Sequence, residues 1–262
     1  MEKIVFVKEK KNENTKTITC SLIDPDCEMF VKGEHERQFA YVAQLACDKR
    51  GWILDFDVNP GNMHDSKAFL PFFYNKLLSF SPIVICRDAA YGTGAIARFV
   101  QEENIKLLTP YVSPKRIRTE FGKKKFTYID DIDEYLCPNR KSLVPWNIDK
   151  AGNVQYKIYS FECDNCPFKE KCLKNYAFKT VTRNIYEDCK MLIRDFRLSP
   201  EGKEIYSKRQ ETIERRFADG KERHGLRFTR FIGKKKNRDY RALLYACLNI
   251  KKFATLVNQW AN

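Results

Sequence analysis

The sequence predicts an α/β fold, a mixed sheet flanked by helices and interrupted by a small Cys-rich insertion. Three observations predict it. Gln38–Cys47 and Trp52–Val58 are strand-like stretches on either side of Lys49-Arg50-Gly51 and read as an antiparallel hairpin. The apolar run Ile83–Cys86, a helical pattern over Ala95–Asn104 and a strand at Lys106–Tyr111 follow in strand–helix–strand order. After residue 112 the composition changes. Residues 113–185 are rich in Lys, Arg, Tyr and Asn and hold four of the 10 cysteines.

The remaining elements follow in order. Lys8–Lys16 is a charged linker or hairpin arm before Thr15–Cys20. Asn59–Ser66 carries Pro60 and Gly61 and is a loop. Asp65 or Ser66 is placed to cap the next helix, and Pro71 should lie near that helix's start. Ile83–Cys86 suits a strand buried on both faces. Helical character returns over 186–224, broken at Ser199-Pro200. A last helix over 238–258 should bury Ala242, Leu243, Ala246, Leu248, Ile250, Phe253 and Leu256. The organisation expected is 1–112 as the first part of a core, 113–185 as a basic, cysteine-containing insertion, and 186–262 as the end of the core.

Composition narrows the function. A hydrophobic fraction of 43% over 262 residues is ample for a buried core. The net charge of +14 favours a polyanionic partner such as nucleic acid. No run is long and apolar enough for a transmembrane helix, and the first residues do not read as a signal peptide. A cytoplasmic, reducing setting is expected, so the cysteines read as thiols or metal ligands. Cys20, Cys27, Cys47, Cys86, Cys189 and Cys247 read as small core residues. His35, His64 and His224 do not converge by spacing, and His64 reads as a solvated or capping residue.

Asp88 stands where an apolar strand stops, a position that holds a carboxylate rigidly at the rim of a sheet. Taken alone, it could simply begin a turn. Glu214 lies between Ile213 and Phe217, which would bury one stripe of a helix. Lys221, seven residues on, shares the face of Glu214. Surrounded by Arg215, Arg216 and Arg223, Glu214 could also be an ordinary surface ion pair.

Four ordered blocks resemble the DDE transposases of bacterial insertion sequences, carboxyl-terminal part only. Val84–Ile96 is similar to their second-aspartate motif, and Tyr206–Gly233 to their glutamate-helix motif. Phe39–Ser66 resembles the segment before the second aspartate, and Ala242–Ala254 the closing helix. The resemblance implies a ribonuclease-H-like fold and carboxylates that hold Mg²⁺ (or Mn²⁺) for two-metal phosphodiester chemistry in DNA cleavage and strand transfer. It maps Asp88 and Glu214 onto metal ligands and Lys221 onto a phosphate contact. Tyr206 and Arg209 map onto the family's Tyr and Arg, although Glu214 follows Arg209 by five residues where the family usually has four. The implied partner is DNA, as transposon ends and target; a homodimer is left open as a further partner, and no membrane association is expected.

A first catalytic aspartate on an Asp-Gly-Thr strand does not precede Asp24-Pro25-Asp26. The expectation is an amino-terminally truncated, inactive copy without the first core strand. Alternatively, Asp24 or Asp26 fills the role, or Asp24-Pro25-Asp26 is a turn. Cys163-x2-Cys166-x5-Cys172 with Cys137 could hold structural Zn²⁺, and the resembling transposases carry a similar pattern. The other outcome is plain thiols. On that basis a non-catalytic, zinc-stapled DNA-binding remnant is the alternative to an enzyme. Lys115, Arg116, Arg118 and Lys123–Lys125, and separately Lys234–Arg238, are runs that could neutralise phosphates or simply be solvated.

Overall fold

The structure is a computed structural model describing residues 4–8, 17–33, 36–110, 120–228 and 230–260. His35, Lys115, Arg116 and Arg118 lie outside them. The strands are β1 (Ile4–Lys8), β2 (Thr17–Ser21), β3 (Glu28–Lys32), β4 (Glu36–Cys47), β5 (Ile53–Pro60), β6 (Val84–Cys86), β7 (Lys106–Leu108), β8 (Thr127–Ile129), β9 (Glu134–Leu136), β10 (Ser142–Ile148), β11 (Asn153–Lys157) and β12 (Thr180–Asn184). The helices are α1 (Asp65–Phe72), α2 (Gly94–Glu102), α3 (Lys169–Leu173), α4 (Glu187–Leu198), α5 (Pro200–Ser207), α6 (Arg215–Arg223) and α7 (Lys234–Trp260). They form two compact units, Met1–Cys86 with Ser199–Asn262, and Arg87–Leu198.

In the first unit β3, β4 and β5 make an antiparallel sheet. The expected hairpin runs from Tyr41 opposite Pro60 to Cys47 opposite Ile53, with an irregularity at Ala46/Cys47. Gly51 closes it at φ 79°, a left-handed conformation that suits glycine. Leu45 and Ile53 pack with Leu244, Tyr245 and Leu248 of α7, and Ile213 and Phe217 close the cluster. Asn249 clamps the hairpin to α7. Its amide accepts from Ile53 N at 3.0 Å and donates to Ile53 O at 2.9 Å.

Asp24 joins distant parts of this unit. It is buried, accepts from the Tyr41 hydroxyl at 2.8 Å, and accepts from Gly233 N at 3.0 Å. Asp26 accepts from Lys234 N at 3.1 Å. The Asp24-Pro25-Asp26 turn therefore satisfies backbone donors at the start of α7, where a helix leaves N–H groups without intrahelical partners.

The second unit holds an antiparallel meander, β8-β9-β10-β11-β12. Its core combines Phe126, Tyr135, Leu143, Tyr156, Ile158, Leu173 and Val181. The segment 113–185, read from the sequence as a basic, cysteine-containing insertion, supplies a five-stranded sheet. Its strands are short and contain Pro145 and many polar residues, so periodicity alone does not expose them. Beside the sheet, α2 packs on α4, and Gln101 donates to Cys189 O at 3.1 Å.

Several local expectations are corrected. His64, not Asp65 or Ser66, caps α1, its ring nitrogen accepting from Ser66 N at 3.2 Å. Pro71 lies near the end of α1, and the chain continues as a π-turn over Phe73–Leu77. Proline has no N–H to continue the ladder, so the hydrogen-bond pattern changes there. Only Ile85 of the run Ile83–Cys86 is buried, and Ile83 is 77% exposed. Cys247 is exposed rather than a core residue, and Cys27 is buried. The helix expected over 238–258 spans Lys234–Trp260, but Leu243, Ile250 and Phe253 face outward. The hairpin receives Leu244, Tyr245 and Leu248 instead.

Two measurements test this packing. Asp24→Ala removes the acceptor of both the Tyr41 and Gly233 bonds and should lower stability by about 2 kcal/mol in urea unfolding. A loss below ~0.5 kcal/mol would remove the cap from the account. Burial, with Asp48 adding to it, pushes the Cys47 thiol up to about 11. Its neutral form favours the folded state below the unfolded thiol's titration range, and that stabilisation fades as pH rises toward 11. At pH 8, iodoacetamide should label Cys47 at least ~10-fold more slowly in the native chain than in urea. Equal rates contradict its half-buried placement.

Candidate functional site

The segment carrying Glu214 has an unusual backbone. Between α5 and α6, Gln210–Glu214 forms a π-turn, and Glu214 N donates to Arg209 O at 3.1 Å. This is a bond across five residues, so the turn accommodates one residue beyond an α-helical step. The five-residue spacing between Arg209 and Glu214 has its structural counterpart here. The two side chains still meet, with the guanidinium 3.7 Å from the Glu214 carboxylate. Arg209 also donates to the Tyr206 hydroxyl at 2.9 Å and is mostly buried, whereas half of the Glu214 side chain is exposed. The result is a solvent-facing carboxylate steadied from behind by a held cation.

Hairpin residues support this helix. A Cβ on Gly51 would lie 3.6 Å from Thr212 Cα and 3.7 Å from Arg216 Nε. The thiol of Cys47 is coupled to the Thr212 hydroxyl and to the charge of Arg216. Sequence reasoning missed Thr212, Arg216 and Cys47 as a supporting group, because the hairpin and helix lie far apart in the chain. Lys221 is exposed on α6, with its ammonium 5.9 Å from the Phe217 ring centre. Asp24 lies in the same unit, with its two carboxylate oxygens committed to Tyr41 and Gly233. These bonds give Asp24 a structural role in the turn that meets the start of α7.

Asp88 belongs to the other unit. It stands just before the 3₁₀ turn Ala89–Tyr91, is exposed, and does not cap that turn with its side chain. Arg87 N donates to Leu108 O at 2.8 Å, and the Arg87 guanidinium lies 4.4 Å from the Tyr91 ring centre. Tyr91 is buried, so the segment has an anchor directly beside the carboxylate. Thr93 caps α2 by accepting from Ile96 N at 3.3 Å. A Cβ on Gly94 would stand 2.4 Å from Asn184 Oδ1, so the start of α2 requires glycine.

The same unit brings Cys137, Cys163, Cys166 and Cys172 to one cavity of about 20 Å³. That is room for one small body. Cys137 Sγ accepts from Lys141 N at 3.3 Å. The Cys163 thiol is pushed upward by burial and then by Cys166, Cys172 and Cys137. Four soft thiols around one small space fit Zn²⁺ in donor chemistry. Among the described residues, however, no group of three or more His, Cys, Asp or Glu converges enough to hold a metal. The thiols border a common space without meeting at a point. Lys179 lines the cavity and donates to Phe121 O at 2.7 Å, while burial lowers the pKa of its ammonium.

The basic runs divide. Lys123 is committed to Glu187 at 2.6 Å, while Lys124 and Lys125 are exposed. Lys234, Lys235, Lys236 and Arg238 are exposed at the start of α7. Cations there oppose the helix dipole, a cost that Asp24 and Asp26 offset locally. No helix among the described residues is long and apolar enough to cross a membrane.

Residues 136–254 match a family model described as "Transposase DDE domain". The matched span contains the four cysteines, Arg209, Glu214, Lys221 and most of α7, but not Asp88. Neither the curated proteins nor the solved structures provide a match. In its carboxyl-terminal part the chain is similar to the DDE domain of transposases.

Proposed function

We propose that this chain is a transposase catalytic core with a ribonuclease-H-like arrangement, acting on DNA at transposon ends and target sites. The observation that carries the proposal is Glu214, an exposed carboxylate held through a π-turn beside Arg209 within the matched segment. Glu214 and Asp88 are the residues assigned to hold Mg²⁺ or Mn²⁺. Such ions, when bound, activate an attacking oxygen and stabilise a leaving oxygen. Arg209 is a positioning residue, because it acts on Glu214 and Tyr206. Lys221, two turns beyond Glu214, is assigned a DNA phosphate, with the exposed lysines at the start of α7 extending the basic surface.

A second reading, a DNA-binding remnant without chemistry, draws on Asp24. With its oxygens engaged in the α7 cap, Asp24 does not supply a further open carboxylate. Mn²⁺ binding, measured by water-proton relaxation, should weaken at least ~10-fold in both Asp88→Ala and Glu214→Ala. Identical binding in all three proteins would end the metal-ligand assignment. Metal-dependent nicking of duplex DNA, lost in both variants, is the outcome expected for an enzyme. DNA binding without nicking supports the remnant and rejects catalysis by this chain.

For the second unit the proposal is a structural zinc at Cys137, Cys163, Cys166 and Cys172, which line one cavity but would have to draw closer together to coordinate it. Four sulfur ligands would leave no open position, so this metal would stabilise the sheet rather than react. Co²⁺ substitution should produce a thiolate-to-cobalt charge-transfer band that Cys163→Ser weakens. A chain purified without zinc that also gives no such band with Co²⁺ would establish plain thiols.

A further inference from the structure

The meander of the second unit turns one face to its core and the other to solvent. Tyr135, Leu143, Tyr156 and Val181 are buried in the core. The residues alternating with them form two cross-strand rows, Val144–Lys157–Thr180 and Asn147–Gln155–Thr182. Trp146 stands at the irregularity in β10, and its ring meets Lys157. Pairing continues one step past the strands, with Ile158 N donating to Lys179 O at 3.2 Å. That step sets Tyr159 and Phe178 next in line on the Lys157 side. Trp146 is 64% exposed, Tyr159 56%, Phe161 66% and Phe178 37%.

These rings surround a cation. Lys157 Nζ lies 4.3 Å from the Trp146 ring centre and 4.0 Å from that of Phe178. Tyr159 and Phe161 stack with centres 5.7 Å apart and planes 17° from parallel. Neither cross-strand row contains a carboxylate. Glu162 and Asp164, which follow Phe161 in the chain, are paired with Lys141 at 2.8 Å and Lys169 at 3.5 Å. The core has its own aromatic residues, so packing does not account for four exposed rings on the solvent side.

We propose that this outward face is a stacking platform for unpaired bases of single-stranded DNA, with Lys157 meeting an adjoining phosphate. Every base has a π-face that stacks on an aromatic ring, and a lysine among the rings favours the polyanionic backbone. Charge complementarity favours this occupant, because the face carries a cation without a facing carboxylate in a chain of net charge +14. Duplex DNA keeps its base faces stacked inside, so the platform takes bases that have left the stack. The choice of DNA over RNA rests on the proposed action on DNA, but neither Asp88 nor Glu214 takes part.

Fluorescence anisotropy of the full chain with a labelled oligo-dT of about 20 nucleotides and a duplex of equal length, without added Mg²⁺ or Mn²⁺, tests the platform. Trp146→Ala/Phe178→Ala should weaken single-strand binding at least ~30-fold and duplex binding less than ~3-fold. Phe161→Ala, at a mostly exposed ring, should cost at least ~5-fold on the single strand, whereas Trp146→Phe should keep most of the affinity. Circular dichroism checks that the variants fold. Photocross-linking to an iodouracil-substituted strand should label peptides that contain Trp146, Tyr159, Phe161 or Phe178. Absent single-strand binding, equal losses on single strand and duplex, affinity unchanged by these substitutions, or cross-links confined to other peptides would each overturn the proposal. An oligo-U RNA bound more than ~10-fold tighter than oligo-dT would overturn the assignment to DNA. Failure here would leave the Mn²⁺ assignment of Asp88 and Glu214 standing, and unchanged Mn²⁺ binding in their variants would leave the platform standing.

Discussion

The hydrogen bonds to Asp24 span 209 residues, from a turn ahead of β3 to the first residues of α7. One buried carboxylate accepts from a β4 hydroxyl and from a backbone N–H at the start of the closing helix. Burying a carboxylate is costly unless donors surround it, and here the donors come from different parts of one unit. The arrangement fixes where α7 begins. That start sets which α7 residues meet the hairpin, and the hairpin in turn supports Thr212 and Arg216 of the glutamate segment.

Around Glu214 the physical problem is register. A helix turns about 100° per residue, so an additional residue between Arg209 and Glu214 would rotate them apart in regular α geometry. The π-turn accommodates that residue locally. Arg209 remains close to both Tyr206 and Glu214, while Glu214 stays open to solvent. The carboxylate is therefore both accessible and restrained, a combination useful to a metal ligand or to any group that must meet a charged substrate.

The second unit uses another strategy. Its sheet is short-stranded and its core combines aromatic rings with buried sulfur. Tyr128 and Tyr156 both donate to the Asp133 carboxylate, closing one side of the meander with hydrogen bonds. The cysteines line a small cavity together with Phe126, Ile158 and Leu173 of that core. Their mutual effect on the Cys163 thiol reflects proximity, which linear spacing suggested for Cys163 and Cys166 but could not supply for Cys137.

The sequence by itself determined the hairpin, the break at Ser199-Pro200, the cysteine grouping as a candidate and the resemblance to transposase motifs. These are local: alternation, proline chemistry, Cys spacing and residue order survive in one dimension. The family match across Glu214, Lys221 and the closing helix agrees with that ordered reading. Tertiary structure decided what Asp24 does, because its partners Tyr41 and Gly233 are remote in the chain. It also decided which side of α7 is buried. Leu243, Ile250 and Phe253 are as apolar as Leu244 and Leu248, so hydrophobicity made both sides candidates for the core. The hairpin, by contacting only one of them, made the choice.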